Sequence, residues 1–511
     1  MGPRLGVIAA AVVAGALLLP LIAVAWRAEG WSGIDARDWG ALWFTLWQSV
    51  VSATVSILLA IPVARALARR DFVGRGGVVL LLGAPFILPV IVAVLGLVAV
   101  FGRSGLVNGA LDSLGLGPVS IYGWQGVILA HVFFNMPLAT RLILQGWHAI
   151  PGERLRLAAS LGFTATDTFR RLEWPMLRSV VPGIFLVIFL ICTTSFAVAL
   201  ALGGGPGATT VELAIYQAFR FDFDLSRAAL LGAIQLTLGA TAALLSLRFA
   251  LPSGFGAGQD RAVARWDSRT PLLRLQDAVA IGLACAFLLI PVGLVLADGV
   301  FAVFDLPATV WWAAFRSLVM ALIAAALTTT IAFLMALAVV ETRRGGWIDL
   351  VGSLSIAASP LVLGTGLFLI LLPVANPVSL ALPVTVFVNV VLALPFALRA
   401  LIPAMRTLMA DYGRLSASLG LSGWAWTRLI ALPRLRGPIG FAAGLTAALS
   451  AGDLGVIALF GAPDRATLPL VLYQLMGSYR MEEAKAAALI LVVLSLGLFW
   501  LFERGGRRAD A

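Results

Sequence analysis

The sequence predicts an all-α, polytopic membrane protein with about twelve transmembrane helices in two homologous halves. Three observations carry that prediction. Residues of the AVILMFWYC set make up 61% of the 511-residue chain, and 52 glycines enlarge the share further, against roughly 45–50% for the combined set in soluble domains. Charged residues are only 12%, about half the roughly 25% of a soluble domain. A block of identities also recurs along the chain at a constant offset. A soluble enzyme, a disordered chain and a secreted disulfide scaffold are thereby excluded.

Crossing roughly 30 Å of hydrocarbon takes about 20 helical residues. Apolar runs of that order lie near 5–26, 42–64, 78–101, 122–140, 179–203, 228–247, 278–297, 311–340, 350–373, 383–398, 437–461 and 486–502, the tenth being short. The first could be a signal peptide, because Ala23-Val24-Ala25 resembles a cleavage site. Its apolar stretch exceeds the usual h-region of about 7–15 residues, which favours an uncleaved anchor.

Orientation follows from the basic residues, which resist translocation. With both termini inside, the inner segments hold 27 of the 36 Lys and Arg residues and the outer segments hold 8, with Arg316 near the start of its span. Both ends are therefore expected in the cytoplasm. The same reckoning leaves Asp453, in Ser-Ala-Gly-Asp-Leu-Gly, as the only carboxylate within a span. Such a group either marks a transport pathway or sits near the outer end of its helix, in water or capping backbone.

The formal charge of +11 does not read as a nucleic-acid surface, because the arginines lie in short loops rather than on one face. The single lysine, Lys485, stands in Glu-Glu-Ala-Lys-Ala-Ala, so no glycine-lysine phosphate loop exists and the chain has no Walker-type ATP site of its own. Cys192 and Cys285 lie in apolar runs and His131 and His148 are 17 positions apart. None has metal-ligand spacing, and all four read as packing residues. No cluster of catalytic groups is found.

Arg141, Glu153, Arg156, Ala159-Ser160-Leu161-Gly162, Pro175 and Gly203 match Arg399, Asp411, Arg414, Ala417-Ser418-Leu419-Gly420, Pro433 and Gly461 at an offset of 258. Ser49 and Ser317 match at 268. The organisation expected is an N-terminal anchor and outer loop (1–41), a first repeat (42–250) with an inner loop at 150–175, a linker and connecting helix (251–310), a second repeat (311–503) with an inner loop at 408–433, and a tail (504–511). The linker near 251–275 holds Ser253, Gly254, Gly258, Asp260, Arg261 and Arg265.

The two inner loops are the informative segments. Small residues ending in Gly162 or Gly420 suit a helix that turns abruptly, and Pro175 and Pro433, each 13 positions later, mark entry to the next span. Each reads as a short amphipathic helix lying along the membrane. Its recurrence at one topological position favours a two-fold cytoplasmic partner over a lipid-binding role.

These loops resemble the coupling loop of type I ABC importer permeases, across about residues 42–250 and 311–503. The resemblance implies that fold, and a loop seated on an ATPase subunit. The family glutamate falls on Arg156 and Arg414, with Glu153 and Asp411 three residues earlier. The glycines can be carried over, the glutamate contact cannot. A narrower resemblance, to the fused permeases of thiamine and thiamine diphosphate importers, rests on Leu202 to Thr210, Glu212-Leu-Ala-Ile-Tyr216-Gln217, Phe221-Asp222-Phe223-Asp224, Gly452 to Gly461, Thr467-Leu-Pro469, Leu472-Tyr473-Gln474 and Gly477-Ser478-Tyr479-Arg480.

It implies import of thiamine and its phosphate esters, two copies of an ATP-binding subunit that hydrolyses the ATP, a periplasmic substrate-binding protein, and no cofactor on this chain. Ser195, Tyr216, Gln217, Asp453, Tyr473 and Gln474 are the candidate pathway residues. For the Tyr-Gln pairs the reading as interfacial aromatic-belt residues is the favoured one. A ferric-iron permease is the alternative on substrate. An ion-driven carrier, which needs ionisable groups within its spans, is the alternative on mechanism.

Overall fold

A computed structural model describes residues 3–27, 34–246, 248, 270–342, 345–355, 359–461 and 465–507. The linker residues Ser253 to Arg265 singled out above lie outside the described residues. In chain order the helices are α1 (Pro3–Arg27), α2 (Ala36–Arg69), α3 (Arg75–Leu81), α4 (Val90–Phe101), α5 (Leu106–Ser113), α6 (Trp124–His148), α7 (Gly152–Ser160), α8 (Ala165–Thr168), α9 (Trp174–Thr193), α10 (Phe196–Leu202), α11 (Val211–Arg220) and α12 (Leu225–Ser246). They continue as α13 (Pro271–Ala302), α14 (Ala308–Glu341), α15 (Gly346–Leu354), α16 (Pro360–Leu371), α17 (Ala381–Ser418), α18 (Gly423–Trp426), α19 (Leu432–Arg434), α20 (Arg436–Ala451), α21 (Gly455–Phe460), α22 (Leu468–Gly477) and α23 (Met481–Arg507).

Among the described residues, 11 helical segments are long and apolar enough to cross a membrane, one fewer than the sequence count. The difference lies in the run 350–373, which divides into α15 and α16. Pro360 has no N–H to continue a helix and disfavours helical geometry at the residue before it. Ser359 instead caps α16, its Oγ accepting from the Leu361 and Val362 N–H groups at 3.1 and 3.3 Å. The run 78–101 breaks likewise, α4 starting after Pro89. The short run 383–398 is the middle of the 38-residue α17, which carries Pro395 and Pro403 inside it.

Helix α1 is an integral part of the bundle. It buries Ala10, Val13, Leu17 and Val24 in the main core and packs on α14, α16 and α12. Its approach is close enough that a Cβ on Gly6 would collide with the Leu334 carbonyl oxygen, and one on Gly366 with that of Pro20. Helix α13 does the reciprocal thing. It packs on α2, α4 and α23, and a Cβ on Gly96 would lie 2.6 Å from the Pro291 carbonyl oxygen. Each half therefore sends its leading helix across onto the other.

Candidate functional site

Two paired constructions stand out: the turns that follow α7 and α17, and four interrupted helices that converge between the halves. In the first, helix α7 ends at Leu161, whose N–H bonds the Leu157 carbonyl. Gly162 N–H bonds Ala159 and Phe163 N–H bonds Ala158. Gly162 adopts φ +68°, and a Cβ there would meet only open space, so glycine is there for its left-handed backbone rather than for room. The second turn repeats this: Gly420 has φ +65°, and Gly420 and Leu421 N–H bond the Ala417 and Ser416 carbonyls.

The halves differ in what precedes the turn. The first has the separate short helix expected. In the second, Asp411, Arg414 and Ala417 are the end of α17 itself, because no proline interrupts 404–418 as Pro151 does before α7. Glu153, Arg156, Ala159, Gly162 and Pro175 are exposed, as are Asp411, Arg414, Ala417 and Gly420, whereas Pro433 is half-buried. Beside them Leu157 and Leu161 project into the open, matched by Leu415 and Leu419, with Leu161 and Leu419 each 63% exposed. The two halves thus expose apolar side chains at equivalent places.

After each turn the backbone widens into a π-helical stretch, Phe169–Glu173 and Thr427–Ala431, closed by Trp174 N–H on the Phe169 carbonyl and Leu432 N–H on that of Thr427. The next residue in each case, Pro175 or Pro433, supplies no N–H and crowds the carbonyl four positions back, which the wider turn relieves. In the first half this stretch is anchored ionically. Glu173, fully buried, accepts from Arg65 Nε at 2.7 Å, and Asp277 binds Arg69 at 2.6 Å and Arg70 at 2.8 Å. Ala431 stands where the second half would have the matching carboxylate, and packs in the apolar core.

Between the halves, α9 gives way to α10 at Thr194-Ser195, and α20 to α21 at Gly452–Leu454. The second of these breaks meets the breaks before α4 and α16. A Cβ on Gly452 would lie 3.0 Å from Pro89 Cβ, and one on Gly455 3.1 Å from Pro360 Cβ. Asp453, half-buried, sits in that junction, where its Oδ1 accepts the Gly455 N–H at 3.2 Å. Ser195, half-buried, precedes α10 without capping it.

Helices α11 and α22 are hung on α2 and α14 by hydroxyls: Thr45 Oγ1 accepts Val211 N–H at 2.8 Å and Ser317 Oγ accepts Leu468 N–H at 2.9 Å. Tyr216 packs on Phe196 at 5.2 Å and Phe221 at 5.8 Å. Burial first, and the Tyr216 hydroxyl second, raise the Tyr473 hydroxyl above its ordinary range. Gln217 and Gln474 are both exposed, and their carbonyls accept Phe221 and Ser478 N–H at the ends of their helices. The turns beyond hold Phe223 at φ +53° and Tyr479 at φ +58°, both exposed.

One group is not legible from the sequence pattern. Glu212 falls between the spans, among the outer acidic residues, yet it is fully buried. Ser359 of α16 and Gln235 of α12 lie alongside it, but neither closes a well-aligned hydrogen bond on its oxygens. Burial pushes its carboxyl up to about 8 against the opposing pull of those two neighbours. The available signal is local: Glu212 stands among Val211, Leu213, Ala214 and Ile215, just after the cap residue Thr210. His131 proves to be an internal hydrogen-bonding residue, its Nδ1 donating to Gln48 Oε1 at 2.8 Å.

No protein-family model matches the sequence. Curated relatives do, along nearly its whole length. The chain is 40% identical to the thiamine transport system permease protein ThiP of Salmonella typhimurium over 494 residues, 94% of this chain and 92% of that protein. Against the thiamine transport system permease protein ThiP of Brucella abortus the identity is 40% over 501 residues, 95% of this chain and 92% of the relative. Against that of Escherichia coli strain K12 it is 39% over 515 residues, 98% and 96%.

Proposed function

This chain belongs to the thiamine transport system permease proteins, and from that premise we propose that it is the membrane-spanning permease of an ATP-driven ABC importer that carries thiamine and its phosphate esters into the cytoplasm. The observation that carries this reading is identity of about two residues in five along almost the entire chain. It is a permease and not itself an enzyme. ATP is hydrolysed by a partner, and this chain binds no cofactor.

Two copies of an ATP-binding subunit seat on the paired turns after α7 and α17. The support is the matched glycine backbone of Gly162 and Gly420 and the exposed leucines beside them. Glu153, Arg156, Ala159, Pro175, Asp411, Arg414, Ala417 and Pro433 belong to this coupling surface. A periplasmic substrate-binding protein delivers cargo at the opposite end, near Phe223 and Tyr479. The chain resides in the bacterial inner membrane with both termini in the cytoplasm, an orientation supported by the concentration of arginine in alternate loops. Movement of the coupling turns reaches the interrupted helices through α9 and α20, and opens the junction to one side and then the other. Ser195, Tyr216, Gln217, Asp453, Tyr473 and Gln474 are assigned to the pathway.

The test is uptake of labelled thiamine by cells lacking this gene, with and without the gene restored. Uptake that returns with the gene, ceases on ATP depletion and survives a protonophore is expected. Uptake that never depended on the gene overturns the substrate. Uptake abolished by the protonophore while ATP is maintained overturns the drive.

A further inference from the structure

Helix α16 begins in the heart of the molecule, and carboxyl groups from the two halves flank its first residues. Glu212, from the first half, lies beside Ser359. The next residue, Pro360, packs on Gly455, its Cβ 3.1 Å from where a Gly455 Cβ would be, next to Asp453. The ring of Phe219, on the same helix as Glu212, meets that of Phe368 on α16 at 4.6 Å. The inter-half contact is therefore a packed one.

Neither structural duty open to Glu212 needs it. The first free N–H groups of α16 are already taken by Ser359 Oγ, so Glu212 is not the cap. The Gln235 amide is engaged with the Thr193 carbonyl at 2.7 Å, so Glu212 is not what holds α12 to the α9–α10 break. Among the described residues no well-aligned bond closes on this fully buried carboxyl, which makes it costly to keep. The repeat does not demand it either, because Pro469 stands at the matching place on α22. The two carboxylates are not repeat partners of each other: at the offset of 258, Ser195 stands in the first half where the second has Asp453.

We propose that Glu212 is a substrate-contacting residue that receives the positively charged ring of the cargo when the halves part, with Asp453 as the second carboxylate across the start of α16. The inference rests on the thiamine reading above and deepens it. A thiazolium ring carries a fixed positive charge that no protonation change can remove, so on leaving water it is stabilised by an anionic group or an aromatic face, and Glu212 becomes anionic by releasing its proton to the water that enters as the halves part. A carboxyl at the meeting point of two helix breaks is placed to do so.

The experiment compares two labelled probes in gene-deleted cells carrying the full transport system: thiamine, and an isostere whose thiazolium is replaced by an uncharged thiophene. The readout is how much Glu212→Gln lowers uptake of each relative to the wild-type chain, normalised to membrane abundance. Discrimination by the binding protein cancels in that ratio. A loss for thiamine about tenfold or more beyond the loss for the neutral isostere is expected, a difference of about 1.4 kcal/mol. Equal losses, or none, overturn the inference and assign Glu212 to packing. Should Glu212→Gln not accumulate, Glu212→Asp is compared in the same way. There a greater loss for thiamine than for the isostere supports the inference, and equal losses overturn it. Failure of the wild-type gene to restore thiamine uptake at all overturns the thiamine reading instead, which keeps the two distinguishable.

Discussion

Arg65 and Glu173 show how much one side chain carries here. Glu173 is fully buried and Arg65 keeps 18% of its side chain exposed, so Arg65→Ala removes an ionic partner from a buried carboxylate. Breaking a buried pair from one side costs about 3–5 kcal/mol. The purified permease should melt well below wild type, and the double substitution Arg65→Ala with Glu173→Ala should recover part of the loss. A double variant no more stable than Arg65→Ala would deny the coupling. The pair joins residues 108 positions apart, and no periodicity in the chain links them. Gly162 and Gly420 were legible because a glycine after a run of small residues is a local signal. Glu212 was not, because its burial comes from α12 and α16, far along the chain.

At the scale of elements, Pro175 and Pro433 do more than start the next span. By withholding an N–H they stabilise the π-helical turn before them, which sets the rotation of Glu173 and of the exposed turn relative to α9. Pro175→Ala restores the donor and lets the stretch tighten to ordinary α register, turning Glu173 away from Arg65. Thiamine uptake should fall several-fold at unchanged membrane abundance, and unchanged uptake would show that the wide turn is incidental. The prolines and the repeat offset could be read directly. The interruption between α15 and α16 is harder to see, since hydropathy averaged over 350–373 dilutes Ser355, Ser359 and Pro360 among apolar neighbours and is blind to a missing hydrogen bond. The extra length of α17 escaped for the opposite reason, as a continuous helix passed from apolar to polar sequence without a break.

The whole molecule is two halves, each wearing the other's leading helix. Composition and the offset of 258 foretold two repeats, but not this exchange, which depends on contacts such as Gly366 against Pro20 and Gly96 against Pro291. Residues 1–246 expressed alone should be degraded or protease-sensitive, because α1 has lost α14 and α16 and α4 has lost α13. Co-expression with residues 247–511 should restore protection, and a stable, protected first half on its own would refute the exchange as a stabilising feature. The exchange also sets a schedule for biosynthesis. At a ribosomal pace of about 5–20 residues per second, α16 emerges on the order of 15–70 s after α1. Throughout that interval the face of α1 destined for Gly366 and Leu334 has only lipid to lie against, and the molecule cannot close until its last third has been made.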